Sequence, residues 1–339
     1  MTAEEIKLRR LAGQHLLIPA DTQTVVKDLC GLQAQFYGHA IHGLALRCGQ
    51  VDTTGLVKSW TNRGTMHIFS ADDLALFLHR GRTHFLRPVD TLEGDAFISQ
   101  QRKAWFADLI TASIAQGTDQ REPLKAVCWA NGMTEAESQS LFDPWGGVIR
   151  ALCENGRICH KVQEQKAYQL CPDFTPMEEG PARLELARRY FTHFGPATVK
   201  DAAYFFGTTQ TTVKAWLRQL PVEEAALDGR SYFYIENQVL PHIEPASVLF
   251  LAGFDQLMLG YEKTESLFLP RENLRQIFTL AGIVRPALLM DGRVAGFWNR
   301  KNRKLTVTLF TPVDKNQIRT AAETLWTDLK TIEFKEEFK

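Results

Sequence analysis

The sequence carries no excess of either charge, since lysine and arginine number 39 and aspartate and glutamate number 39. A chain of zero formal charge has no global pull toward nucleic acid, so any phosphate-binding surface must be local and offset by acid elsewhere. No Cys-x-x-Cys pair occurs among the six cysteines at 30, 48, 128, 153, 159 and 171. The shortest interval, Cys153 to Cys159, is not a zinc spacing. Several cysteines sit in apolar runs such as Val127-Cys128-Trp129, which predicts buried, reduced thiols in a cytoplasm. No apolar signal segment follows Met1, and apolar runs such as 247–254 are far too short to cross a bilayer. The expectation is a cytoplasmic protein without membrane contact. P-loop, Rossmann glycine pattern, nucleophile elbow and paired metal-binding histidines are all missing, so kinase, dehydrogenase and metallohydrolase readings lose their usual support and no cofactor or metal is expected.

What the chain does have is 339 residues, 45% apolar and 23% charged, enough for two or three globular domains. Thr2 and Glu5 form a capping box before a first helix, and Asp21 caps a second that Gly31 terminates. Leu44–Cys48 reads as a strand or helix fragment, Leu56–Trp60 as helical, and Gly64–Phe69 alternates like a strand. Ser70 and Asp73 open another helix. Pro123–Ala130 and Trp145–Glu154 read as helices, followed by an Asn155-Gly156 turn and a hairpin over Ile158–Leu170.

Ala182–Phe194 has the periodicity of an amphipathic helix. In the run 195–217, Thr198 and Thr209 cap two helices around a turn at Gly207. Ala203, Gly207 and Val213 have the spacing of a helix-turn-helix. A hairpin over 222–235, turning at Asp228-Gly229-Arg230, completes a winged helix. Three such units are expected, at about 4–80, 120–172 and 182–237. After 240 the pattern is β-rich, with Val284–Met290 and Arg293–Trp298 flanking Asp291-Gly292, a third strand at Leu305–Phe310 and a closing helix at Asn316–Leu329. The fold class is therefore α+β. The expected division is 1–118 (first winged-helix unit with a helical extension), 119–180, 181–239, and a β-rich 240–339.

Gln33-Ala34-Gln35 stands at the end of an apolar segment, just after Gly31. On a helix, positions i and i+2 diverge by about 200°, whereas on extended chain they share one side. Two amides there can hold a water, read a base edge or face a developing charge, although they have no useful pKa as bases. They can equally be a helix-end polar pair bonded to backbone. The helix-turn-helix presents Gln210, Thr211, Lys214 and Arg218, a modest reading head or a plain structural module. Asn299–Lys304 concentrates Arg300, Lys301, Arg303 and Lys304 in six residues, suited to a phosphate backbone or to a solvated hairpin tip. Arg9, Arg10, Arg80, Arg82 and Arg87 are further candidates for phosphate. His67 could polarise a substrate or simply pack; Asp255 could orient a catalytic group or cap a helix.

Five stretches in order resemble the winged-helix DNA-binding family that includes the AlkZ-like DNA glycosylases. They are Gly31-Leu-Gln-Ala-Gln35, Arg63-Gly-Thr-Met-His-Ile68, Phe194-Gly-Pro-Ala-Thr198, Phe254-Asp-Gln-Leu-Met-Leu-Gly-Tyr261, and Arg285-Pro with Asp291-Gly-Arg-Val-Ala-Gly296. The resemblance spans about 5–310 and implies tandem winged helices in a C-shaped array with a β-rich C-terminal part. It implies a monofunctional hydrolase, without metal or covalent lysine intermediate, that excises cationic N-alkylated purines from double-stranded DNA and unhooks interstrand crosslinks. The family's Gln-x-Gln or Gln-x-Asp catalytic motif falls on Gln33 and Gln35, with His67 and Asp255 as supporting candidates. A β-hairpin used against DNA would be either Asn299–Lys304 or Lys161–Ala167. A single copy is favoured as the active form. The alternative is a non-catalytic winged-helix DNA-binding protein or transcription regulator.

Overall fold

The computed structural model describes residues 1–61, 63–78, 98–144, 146–236 and 247–338. Trp145, Arg80, Arg82 and Arg87 lie outside them. The chain divides into two compact units, one made of 53–185 and the other of 1–52 together with 186–339. The expected segment 1–118 therefore straddles a unit boundary.

In the unit 53–185, strands Met66–Ser70, Leu56–Trp60, Ile158–His160 and Tyr168–Leu170 lie side by side in that order. All their pairings are antiparallel. Leu56–Trp60, expected as helix, is a strand. A five-residue helix would leave most of its backbone groups without intrahelical partners, whereas pairing across to Met66–Ser70 satisfies them in one register, Leu56 opposite Ser70 and Trp60 opposite Met66. Its first four residues are buried, so no period-2 alternation was there to read. Helices Gln100–Ala115, Arg121–Ala130, Glu135–Leu141 and Gly147–Glu154 supply the rest of the core, centred on Phe106, Ile110, Leu124, Ile149 and Leu152.

The other unit begins with the helix Ala3–Gly13, whose Thr2 and Glu5 exchange the two bonds of a capping box, and continues with Thr22–Asp28, capped by the Asp21 carboxylate. The stretch read ambiguously at Leu44–Cys48 is the end of a helix, Tyr37–Cys48. Helix Glu179–His193 carries the chain back from the other unit. It is followed by Val199–Phe206, capped by Thr198 and ended by a left-handed Gly207, then by Gln210–Leu217, capped by Thr209. The hairpin Glu223–Leu227 with Arg230–Tyr234 comes next. Packed rings of Tyr190, Phe194, Phe205 and Phe206, with Tyr190 and Phe194 stacked and the others tilted or edge-on, fasten these helices together.

The C-terminal sheet runs in the order Thr331–Glu336, Lys304–Leu309, Arg293–Lys301, Ala287–Met290 and Val248–Phe250. The Asp291-Gly292 turn is as expected, with a bulge between Val294 and Gly296. Two expectations are corrected here. The closing helix spans Lys315–Leu325 rather than reaching Leu329, because Trp326 leaves helical geometry and packs its ring on Trp298 and Phe250. After it comes a strand, Thr331–Glu336, parallel to Lys304–Leu309. Its Ile332 and Phe334 pack on the sheet's core while Glu333 between them faces out.

Arg10, a candidate phosphate ligand, is 1% exposed. It donates to the Pro196 carbonyl at 2.9 Å and lies 3.8 Å from the Tyr261 ring, so it is a packing residue. Arg9 pairs with Glu236. All six cysteines are free. Among the described residues no helix is long and apolar enough to cross a membrane.

Candidate active site

The helix Thr22–Asp28 ends in two successive left-handed residues, Cys30 (φ 54°) and Gly31 (φ 75°). Gly31 N–H reaches back to the Val26 carbonyl at 2.8 Å and Cys30 N–H to Lys27 at 3.2 Å, the paired bonds of a Schellman stop. The chain leaves this turn extended, and the alternation is then simple. Leu32 and Ala34 point into the core, 4% and 0% exposed, while Gln33 is half-buried and Gln35 exposed on the opposite side. The two amides meet: Gln33 Nε2 donates to Gln35 Oε1 at 3.0 Å. Extended chain, not helix, is what brings them together. The bond leaves the Gln33 carbonyl oxygen and the Gln35 amide hydrogens available to a third group.

Phe36 follows, at the start of helix Tyr37–Cys48. Its exposed ring stacks on Phe254 (centroids 5.5 Å apart, planes at 23°) and meets the edge of His39 at 6.2 Å. Gly253 donates its N–H to His39 Nδ1 at 3.4 Å. A Cβ there would stand 2.9 Å from the imidazole, so glycine permits the approach. One helical turn on, His42 Nε2 donates to the Phe250 carbonyl at 2.7 Å. Its ring lies 5.2 Å from Trp298 and stacks on Trp326 at 5.8 Å. Burial is the main cause that lowers both histidine pKa values, with His42 adding to the effect on His39 and the Phe250 bond opposing it on His42. Both rings are thus biased toward the neutral form. His39 and His42 line an open pocket of about 410 Å³ with Trp298, Asn299, Arg300 and Trp326. Nothing in the sequence marked these histidines. Their spacing of three suits one helix face, but the tryptophans that complete the pocket come from far along the chain.

Asp255 has no free carboxylate. Its oxygens bind Arg47 in a fork, Nη2 to Oδ1 at 2.8 Å and Nη1 to Oδ2 at 3.0 Å, with both side chains fully buried. It also caps the short helix Gln256–Leu259 by accepting the Leu257 N–H. Arg47 spends its other donors on the Gln14 and Gly43 carbonyls. The pair thereby fixes the helix that follows the two glutamines. His67 lies in the unit 53–185, wholly buried, its Nδ1 within 3.1 Å of the Thr61 hydroxyl and 3.0 Å of the Thr65 carbonyl. Burial, then the nearby Arg63 charge, hold its pKa well below 6.5.

The basic turn is largely committed. Arg300 forms an ion pair with Asp328 at 2.6 Å and lies over Trp326, Arg303 donates to the Asp328 carbonyl, and Lys304 pairs with Glu333. Lys301 is exposed and has no acidic partner among the described residues. The unexpected final strand and the loop before it supply these acids. Lys214 and Arg218 are exposed on and just after helix Gln210–Leu217.

This chain matches the family model described as "DNA glycosylase AlkZ-like" over residues 26–329. The chain belongs to that family of AlkZ-like DNA glycosylases. An interstrand DNA cross-link repair glycosylase of Streptomyces sahachiroi is 26% identical over 328 residues, covering 87% of this chain and 86% of the relative. The solved structure of Streptomyces sahachiroi DNA glycosylase AlkZ superposes with a TM-score of 0.80 at 21% identity, covering 99% of this chain and 100% of that one. The overall fold is thus similar to that of the AlkZ structure.

Proposed function

We propose that this protein hydrolyses the N-glycosidic bond of cationic N-alkylated purines in double-stranded DNA and, like its Streptomyces relative, acts on interstrand crosslinks. The observation that carries the reading is the Gln33–Gln35 contact, two neutral amides held on one side of an extended segment that leads into the helix whose His39 and His42 line an aromatic pocket. An N7-alkylated purine already bears positive charge and leaves without protonation. The sugar then passes through an oxocarbenium-like state that water captures. Such a step asks for a positioned water and for dipoles facing the developing cation rather than for a strong base. The Gln33 carbonyl is the free acceptor for that water, while Gln35, held by Gln33, keeps its oxygen turned to the same side. Asp255 acts through Arg47 as a positioning residue.

The helix-helix-helix-hairpin segment 179–234 supports a winged helix, one of a tandem set that holds the duplex with Lys214, Arg218 and the Arg300–Lys304 turn. The protein would work in the cytoplasm as a single copy. The test is abasic-site formation on duplex containing N7-methylguanine. Gln33→Ala and Gln35→Ala should each lower the single-turnover rate by roughly 10²–10³-fold with duplex affinity retained. Unchanged rates in the double variant would overturn the catalytic assignment. Tight binding without product in the wild type would make the protein a non-catalytic DNA binder.

A further inference from the structure

Away from the glutamines, three chain segments converge on one carboxylate. His15 follows the first helix in a left-handed conformation (φ 57°), Asp28 ends the second helix, and His193 ends the helix Glu179–His193. His15 Nε2 lies 2.8 Å from Asp28 Oδ2, and His193 Nε2 lies 3.3 Å from Asp28 Oδ1. One ligand atom from each of the three falls within 4.8 Å of the other two. Around a tetrahedral zinc ion with bonds of about 2.0–2.2 Å, neighbouring ligand atoms stand roughly 3.3–3.6 Å apart. His15 Nε2 stands closer to Asp28 than that, so it would draw back by about half an ångström while the two rings close on each other.

The hydrogen-bond roles favour a cation over a simple network. His193 Nδ1 faces the Gly13 carbonyl at 3.2 Å, and a carbonyl only accepts, so Nδ1 carries the hydrogen. Nε2 then faces the anionic Asp28 oxygen at 3.3 Å, a contact that a positive centre between them, a proton or a metal ion, makes favourable. A backbone carbonyl holding the far nitrogen of a histidine is also what orients metal-binding imidazoles. The surrounding backbone is fixed independently: Arg189 donates to the Lys27 carbonyl at 3.2 Å and the Cys30 thiol to Leu186 at 3.6 Å. The side chains remain 12–23% exposed, which leaves a route for an ion and a position for one water.

We propose that His15, Asp28 and His193 form a site for one divalent transition-metal ion of the zinc class, with water as fourth ligand, that ties together the ends of three helices. The proposal is independent of the glycosylase reading, and its test needs no DNA. Untagged full-length protein, stripped with chelator, is titrated with Zn(II) by calorimetry and with Co(II) by visible absorption. The expected result is one equivalent bound, a Co(II) d–d spectrum of nitrogen and oxygen ligands without a thiolate charge-transfer band, and a higher melting temperature with Zn(II). Asp28→Asn and His193→Gln should each weaken Zn(II) affinity by roughly 100-fold or more. If either variant fails to fold, the wild-type Co(II) spectrum still decides. No binding by the wild type, a thiolate band, or undiminished affinity in folded variants would overturn the site.

Discussion

Gln33 donates to Gln35 across 3.0 Å, so one amide orients the other. The roles are unequal: Gln35 supplies the acceptor in this bond and Gln33 the donor. Gln35→Glu keeps the acceptor and adds an anion beside the developing sugar cation, so excision of N7-methylguanine should fall by less than about 10-fold. Gln33→Met removes the donor and the free carbonyl together, and should cost about 10²-fold or more. Single-turnover rates on one duplex make the comparison. Equal losses would show that the bond between the amides has no part in catalysis.

The Arg47–Asp255 fork is fully buried. Arg47→Met would leave Asp255 as an unpaired interior anion, and stability in urea should fall by about 3–5 kcal/mol. Arg47→Met combined with Asp255→Leu should recover much of that loss in stability. The Gln33 loop should stay misplaced in the double variant, because the bonds to the Gln14 and Gly43 carbonyls are gone, so excision would not recover with it.

Arg300 is held by Asp328 at 2.6 Å. Asp328→Ala should release the guanidinium and remove an anion from the basic turn, tightening binding to undamaged duplex at low salt. Arg300→Ala with Lys301→Ala should weaken damaged and undamaged duplex alike and lower the salt slope by about one to two. Fluorescence anisotropy across a salt series measures both. If neither variant moves the slope, this hairpin does not touch phosphate.

His160 pairs across the sheet opposite Lys58 and packs on Trp60 and Tyr168. Burial first, then the Lys58 and Lys166 charges, push its pKa from 6.5 down to about 3. The folded state therefore refuses a proton that the unfolded chain accepts below pH 6.5. Stability should fall as pH drops from about 6.5 toward 3. His67, in the same unit, acts in the same direction. Urea midpoints measured from pH 7 to 4 should show a shallower slope in His160→Gln and a shallower one still in the double variant with His67→Gln. An unchanged slope would mean that these rings are not the groups that titrate.

Local chemistry was readable wherever it was self-contained. The Thr2/Glu5 capping box, the Asp21, Thr198 and Thr209 caps and the Asp291-Gly292 turn need only near neighbours, and each formed as its residues dictate. The Gln33–Gln35 spacing was legible for the same reason, since the turn at Gly31 and the alternation that follows are local. What the sequence hid was long-range. Leu56–Trp60 became a strand through its partner Met66–Ser70. Thr331–Glu336 became one by lying parallel to Lys304–Leu309. The cations of Asn299–Lys304 looked free until Asp328 and Glu333 were placed beside them. His39 and His42 had no visible purpose without Gly253, Trp298 and Trp326, and His15, Asp28 and His193 meet only because three helix ends do.

The fork between Arg47 and Asp255 joins residues 208 positions apart. On the ribosome, the glutamines emerge first, and the carboxylate that secures the helix behind them is translated only after another two hundred or so codons. A nascent or truncated polypeptide that stops short of Asp255 thus carries both amides ahead of a helix whose buried guanidinium still lacks its counter-ion.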